Sequence, residues 1–332
     1  MVGSDSLTIG SVLYVLKYRG SRVVDYFIAF NQILILFLLI GVGFFCRRVG
    51  ILNETSVASL SKFLLHICIP AMIIYSMQIP FTSELLESGE LLIVAALGYY
   101  AVSLVVAWFA PVVLRAKHEE YGVFRFMLVF SNSMFMGFPV LSMIFGQEAI
   151  FYAAIFNIPF TVFAYSLGIW LLTVHGGGEG RPVFQPRLLL NAAFLSTFVG
   201  LALFLTSTTI PDPINGSLAL LESVTTPLSL VVTGGFLAQL DLSKIFGNVR
   251  QYFVAGIRLL VLPAVVFVIF SPFIADPLIL GVVVVTAGMP AATNTVMLAS
   301  EHRVHPDIAA QGVFITTLVS VFTLPLLAMF LS

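Results

Sequence analysis

The feature that most restricts this chain is the length of its apolar runs. Continuous apolar stretches bounded by charge, glycine or proline lie near 27–46, 57–78, 91–114, 124–145, 149–174, 189–206, 217–240, 251–271, 279–300 and 308–331. A helix that crosses the hydrocarbon of a bilayer needs about 20 such residues, and core helices of soluble proteins seldom reach that length. The predicted fold class is therefore all-α and integral to the membrane, with about ten transmembrane helices. Only 9% of residues are charged against 59% hydrophobic, too few to cover a water-facing surface, so lipid is the expected solvent for most of the chain. A net charge of -1 excludes the broad basic surface that nucleic acid requires. Cys46 and Cys68 both fall in apolar runs, which suits free thiols better than a disulfide or a metal site.

Ten spans put both termini on one side, so the loops sort into two sets. One set holds Arg47, Arg48, Arg115, Lys117, Arg125, Arg181, Arg187, Lys244, Arg250 and Arg303. The other holds no basic residue beyond Lys17, Arg19 and Arg22, which precede the first span. By the positive-inside rule the first set is cytoplasmic and both termini face outward. Residues 1–26 read as an N-terminal extension that is mobile or lies on the membrane surface, because 7–16 is apolar but too short to span.

The fourth and ninth predicted spans each carry a Gly-x-Pro in mid-membrane, Gly137-Phe138-Pro139 and Gly288-Met289-Pro290, and Pro70 and Pro227 form a second matched pair. This placement predicts two five-helix repeats, 27–174 and 189–332, joined by a cytoplasmic linker at 175–188. Five is odd, so the second copy is inserted upside down. Proline removes a backbone N–H and frees carbonyls that hydrocarbon cannot satisfy, so each break must line protein or a water-filled cavity. Two inverted breaks meeting near the midplane would each offer a half-helix N-terminus, which attracts anions. Ser131, Asn132 and Ser133 before the first break, and Thr293, Asn294 and Thr295 after the second, add polar side chains without a buried charge. For each proline alone, a simple kink in a lipid-packed helix is the competing reading. For each asparagine it is an ordinary interhelical hydrogen bond.

The run Asn132-Ser133-Met134-Phe135-Met136-Gly137-Phe138-Pro139, the run Ala299-Ser300-Glu301-His302-Arg303-Val304-His305-Pro306-Asp307-Ile308, and the later Thr323-Leu324-Pro325 resemble the auxin efflux carrier family. That family includes the plant PIN carriers and bacterial malonate-permease-like transporters. Gly50-Ile51-Leu52, Leu60-Ser61-Lys62, Ile69-Pro70 and Ile257-Arg258-Leu259-Leu260-Val261-Leu262-Pro263 are similar too. The resemblance runs from about Phe27 to the end. It implies a 5+5 inverted repeat with crossing broken helices in spans four and nine, similar to bile-acid/sodium symporter-like carriers, and an elevator-like motion. It also implies that Asn132 contributes to substrate binding. The short segment 175–188 departs from the long hydrophilic loop of the plant carriers and favours a bacterial-type member in the cytoplasmic membrane.

The expected function is secondary transport of a small organic anion of the carboxylate class, held at the crossover of the broken helices. A channel or a cation-coupled symporter of another solute is the alternative. The substrate site is predicted to comprise Asn132, Ser133, Gly137, Pro139, Gly288, Pro290, Thr293 and Asn294, framed by Ser76 and Gln78 on one side and Thr233 and Gln239 on the other. His66, four residues before Pro70, is a candidate for proton coupling, with a structural histidine as the rival reading. Arg258 is expected to snorkel to the cytoplasmic surface or to join an ion pair, and Glu222 to serve an interface. His302, His305 and Asp307 share a short loop and are not read as a metal site. Neither His-Glu-x-x-His nor Gly-x-Ser-x-Gly occurs, so no enzyme is expected. No cofactor or metal is expected, and the partners are the anion and the bilayer, with a homodimer left open.

Overall fold

A computed structural model describes residues 22–175, 190–239 and 247–331. The predicted extension therefore lies outside the described residues except for its last five, and the predicted linker does so except for His175. Helices occupy each apolar run: α1 (Arg22–Arg48), α2 (Glu54–Ser76), α3 (Ser83–Val113), α4 (Tyr121–Val129), α5 (Ser133–Phe145), α6 (Glu148–Thr173), α7 (Ala192–Leu205), α8 (Ile214–Leu237), α9 (Val249–Phe270), α10 (Pro277–Ala287), α11 (Asn294–Glu301) and α12 (Pro306–Leu331). Among the described residues six of these, α2, α3, α6, α8, α9 and α12, are long and apolar enough to cross a membrane. The fourth and ninth runs each form two shorter helices, α4 with α5 and α10 with α11.

Local chemistry explains the boundaries. Side chains of Asn53, Thr82, Asn191 and Asp276 accept from the first-turn N–H groups of α2, α3, α7 and α10, satisfying donors that a helix start leaves free. Proline shapes the interiors. Leu64–Cys68, Ser133–Gly137 and Ile257–Val261 are single π-helical turns, each ending two residues before a proline: Pro70, Pro139 and Pro263. Widening the helix there makes room for a pyrrolidine ring that would strike the carbonyl one turn back.

Two groups of helices result. α1, α2, α7 and α8 pack together, with α1 along α8 and α7 along the end of α2. Backbones touch where α1 meets α8, since a Cβ on Gly43 would fall 2.0 Å from the Val231 carbonyl oxygen and one on Gly234 would fall 1.9 Å from that of Ile40. In the second group α3 packs on α4 and α6, while α9 packs on α10 and α12. Large apolar side chains such as Leu38, Phe45, Val94, Phe109, Leu220 and Val268 point outward and are exposed, a surface that lipid solvates and water would not.

Polar contacts collect at two opposite ends. At one, Arg250 reaches Glu120 at 3.4 Å and the Arg115 carbonyl at 3.0 Å. The Arg125 guanidinium sits 4.0 Å above the Trp108 ring and near His175 there. At the other, Gln78 bonds Asn215 and the Ile210 N–H, and Gln147 donates to Glu222 at 2.6 Å. Glu222 thus ties α8 to the start of α6.

Candidate functional site at the paired helix breaks

The breaks in the fourth and ninth runs meet. Ser131 and Ala291 face each other in a short antiparallel bridge, in which the Asn132 N–H donates to the Pro290 carbonyl at 2.8 Å and the Ala292 N–H donates to the Phe130 carbonyl at 3.1 Å. An interrupted helix in an apolar interior leaves carbonyls that must find donors. Each one here does. Phe130 and Pro290 are served by the bridge, and Val129 accepts from the Tyr99 hydroxyl at 3.0 Å. Leu128 and Met289 accept from Arg258 at 2.8 Å and 3.1 Å. The free Ala291 N–H donates to the Thr316 hydroxyl at 3.1 Å.

Arg258 corrects the sequence-based expectation. Its side chain has 0% exposure, does not snorkel and meets no carboxylate among the described residues. Its partners are the two carbonyls and the Tyr99 hydroxyl, at 3.1 and 3.0 Å from its two terminal nitrogens. The physical reason is that two helix C-termini, those of α4 and α10, end beside it, and a planar guanidinium offers five donors to their carbonyls. Pattern reading could not find this, because it required knowing that α9 runs past both breaks.

Beside these five paired carbonyls, the unpaired side chains stand out. Among the described residues the Asn132 amide nitrogen and the Ser131 hydroxyl are buried without a hydrogen-bond partner, as is the Asn294 side-chain oxygen. Asn132 is 3% exposed and sits directly before the first turn of α5. Ser133 is spoken for, since its hydroxyl donates to Asn157 Oδ1 at 2.5 Å while the Asn157 amide donates to the Ala153 carbonyl. The start of α11 differs from that of α5: Thr295 and Val296 already donate to Ala292 and Thr293.

The remaining predicted site residues divide. Gly137, Pro139, Gly288 and Pro290 are buried at the breaks, and Thr293 and Asn294 are half-buried beside them. Gly288 faces no open space, since a Cβ there would meet Leu327 at 2.5 Å. Ser76 is elsewhere, lining a cavity of about 580 Å3 at the end that holds Gln78, Gln147, Glu148 and Tyr152. Gln239 lies just past the other end of α8, exposed, and Thr233 is buried and donates to the Ser229 carbonyl. The structure does not bring Ser76 and Gln239 together. His66 is exposed on α2, its Nδ1 2.9 Å from the Lys62 carbonyl, away from the breaks.

A second, smaller void borders the first break and shares no lining residue with the cavity. It measures about 10 Å3 and is lined by Ile73, Met134, Phe138, Ala154, Asn157 and Thr161 among others, room for at most a single water. Ile73 on α2 and Ala154 on α6 lie about one helical turn from Ser76 and Phe151, which line the cavity. The breaks are thus closed over in this conformation, with an open cavity next along the same two helices.

A family model described as a membrane transport protein matches residues 28–182 and 180–328. This chain belongs to that family. It is the auxin efflux, PIN-like transport family that the motifs resemble. An uncharacterized transporter of Methanocaldococcus jannaschii is 26% identical over 306 residues, covering 90% of this chain and 97% of the relative. One from Methanothermobacter thermautotrophicus is 27% identical over 309 residues, covering 89% and 96%. A Rhizobium meliloti protein named "Putative malonate transporter" is 22% identical over 291 residues, covering 86% and 90%. The membrane transport family is one of carriers embedded in a bilayer and is not an enzyme class.

Proposed function

We propose that the chain is a secondary transporter that holds a small carboxylate at the paired helix breaks and moves it by elevator-like alternating access. The observation that carries this reading is Asn132, whose amide nitrogen is buried and unpartnered at the start of α5 while every carbonyl from Leu128 to Phe130 has a donor. An unmet buried donor costs about 1–3 kcal/mol, and a bound acceptor relieves that cost. The α5 N-terminus adds a partial positive charge next to it. A relative named for malonate transport agrees with a carboxylate.

The contacts support an inverted 5+5 repeat of ten spans. α1 packs on α8 as α7 packs on α2, α3 on α4 as α9 on α10, α3 on α6 as α9 on α12, and α12 on α4 as α6 on α10. Exchanging the halves maps each pair onto the other. In this reading the group of α1, α2, α7 and α8 is the frame, and the group carrying both breaks slides against it. The end rich in arginine is cytoplasmic, the 580 Å3 cavity is the outward vestibule, and both termini face outward. Substrate would descend from Ser76 and Tyr152 past Asn157 to Asn132.

A thermal-shift screen of the purified protein against malonate, malate and indole-3-acetate, repeated in Asn132→Ala, tests the site. The expected result is stabilisation of the parent by at least one acid and its loss in a folded variant. Stabilisation that survives Asn132→Ala undiminished would remove the breaks as the binding site.

A further inference from the structure

We propose that Arg258 is a resident cation that sets the charge of the transport site, so that the crossover accepts one carboxylate group in preference to a neutral isostere. The inference rests on the crossover being the substrate site. Its own basis is the charge around the breaks. A guanidinium is a permanent cation, and this one is wholly buried with no carboxylate among its partners in the described residues. Its carbonyl partners, Leu128 and Met289, belong to the C-terminal ends of α4 and α10.

Each helix end carries roughly half a charge. Two C-terminal ends at about minus one half together balance one guanidinium. That leaves the two opposed N-termini, of α5 and α11, at about plus one half each. The empty crossover is then positive by about one unit, and one carboxylate restores neutrality. Neither helix end alone carries this conclusion. The buried and unpartnered Asn132 amide at the α5 start is the independent sign that a ligand acceptor belongs there.

Arg258 therefore has two separable effects. Through its fork of donors it holds both breaks in register, as a positioning residue that does not touch the substrate. Through its charge it favours anions. Coulomb attraction across roughly 10 Å at an effective dielectric constant of about 20 amounts to on the order of tenfold in affinity. A lysine in its place keeps the charge and loses the fork, whereas a glutamine keeps part of the hydrogen bonding and loses the charge.

The test compares acid and amide pairs that differ by one charge, monomethyl malonate with its amide and indole-3-acetate with indole-3-acetamide, by thermal-shift titration of the full-length protein in detergent. The parent is expected to bind one acid about tenfold more tightly than its amide. Arg258→Gln should bring the pair to parity by weakening the acid, with the amide unchanged. Asn132→Ala should weaken both members together. Where Arg258→Gln does not fold, Arg258→Lys decides: preference for the acid retained at a lower Tm supports the inference, and preference lost overturns it. An acid preference that persists in Arg258→Gln overturns it as well. A parent that binds acid and amide equally overturns the role of Arg258 and leaves the crossover standing as the site. A parent that binds none of the four probes overturns both readings.

Discussion

Replacing Tyr99 with phenylalanine removes one oxygen and leaves the ring in place, which makes it a clean probe of how the breaks are held. That oxygen donates to the Val129 carbonyl at 3.0 Å and accepts from both terminal nitrogens of Arg258 at 3.1 and 3.0 Å. Its ring lies in edge contact with Tyr100, 4.9 Å between centroids, and packs against Phe156, so Tyr99→Phe opens no cavity. An ordinary interhelical hydrogen bond in a membrane protein contributes only about 0.6 kcal/mol, with about 1.7 the largest measured, because the loosened state finds other partners. Tyr99 should exceed that range. Its loss strands a buried carbonyl, at about 1–3 kcal/mol, and removes the partner of a guanidinium nitrogen that has no carbonyl of its own. A destabilisation of about 2–3 kcal/mol is expected in SDS-titrated unfolding of purified protein. A value below about 1 kcal/mol would refute the view that the breaks depend on the donors that serve their carbonyls.

Two further outcomes follow from packing and charge. Gly43→Ala and Gly234→Ala should each destabilise by about 1–3 kcal/mol, because their new methyl groups would strike backbone rather than a movable side chain. Both act by forcing α1 from α8, so unfolding of the double variant should show a cost well short of the sum, and strict additivity would mean that the two contacts are independent. At the arginine-rich end, burial first, then Arg125 and His118, hold the His175 pKa below its ordinary 6.5. A depressed histidine pKa means that the folded state prefers neutral imidazole, so this contribution is present above about pH 6.5 and fades as pH falls through the folded value. Tm measured from pH 7.5 to 5 should fall less steeply in His175→Gln, and identical profiles would count against it.

The sequence made the helices legible because apolar length is a direct physical requirement of lipid, and each of the ten runs contains described helix. The breaks were legible too, since Pro139 and Pro290 announce themselves. Their meeting was an expectation from symmetry, and the bridge of Asn132 with Pro290 gives it an atomic form. What the sequence hid were partners that come from other helices. Tyr99 and Thr316 belong to no sequence motif and Arg258 was expected to snorkel or join an ion pair, and each takes its role from a carbonyl or amide far away in the chain. Asn157 could have been found, as an amide within an otherwise apolar run. Ser76 and Gln239 were expected to frame the site from two sides on the strength of polarity, yet they lie at opposite ends of α8.

The bridge between the two breaks also bears on how such a chain is made. Synthesis proceeds from the N-terminus, so α4 and α5 enter the membrane before Arg258, Pro290 and Ala292 exist. Until then the carbonyls of Leu128 and Phe130 and the N–H of Asn132 lack the partners that the second half supplies. In hydrocarbon each such group costs several kcal/mol. The first half alone is therefore an incomplete object, held back from its final packing until the last helices arrive. A chain cut in the loop between the halves should yield stably packed pieces only when both are co-expressed, each supplying the other's missing hydrogen bonds.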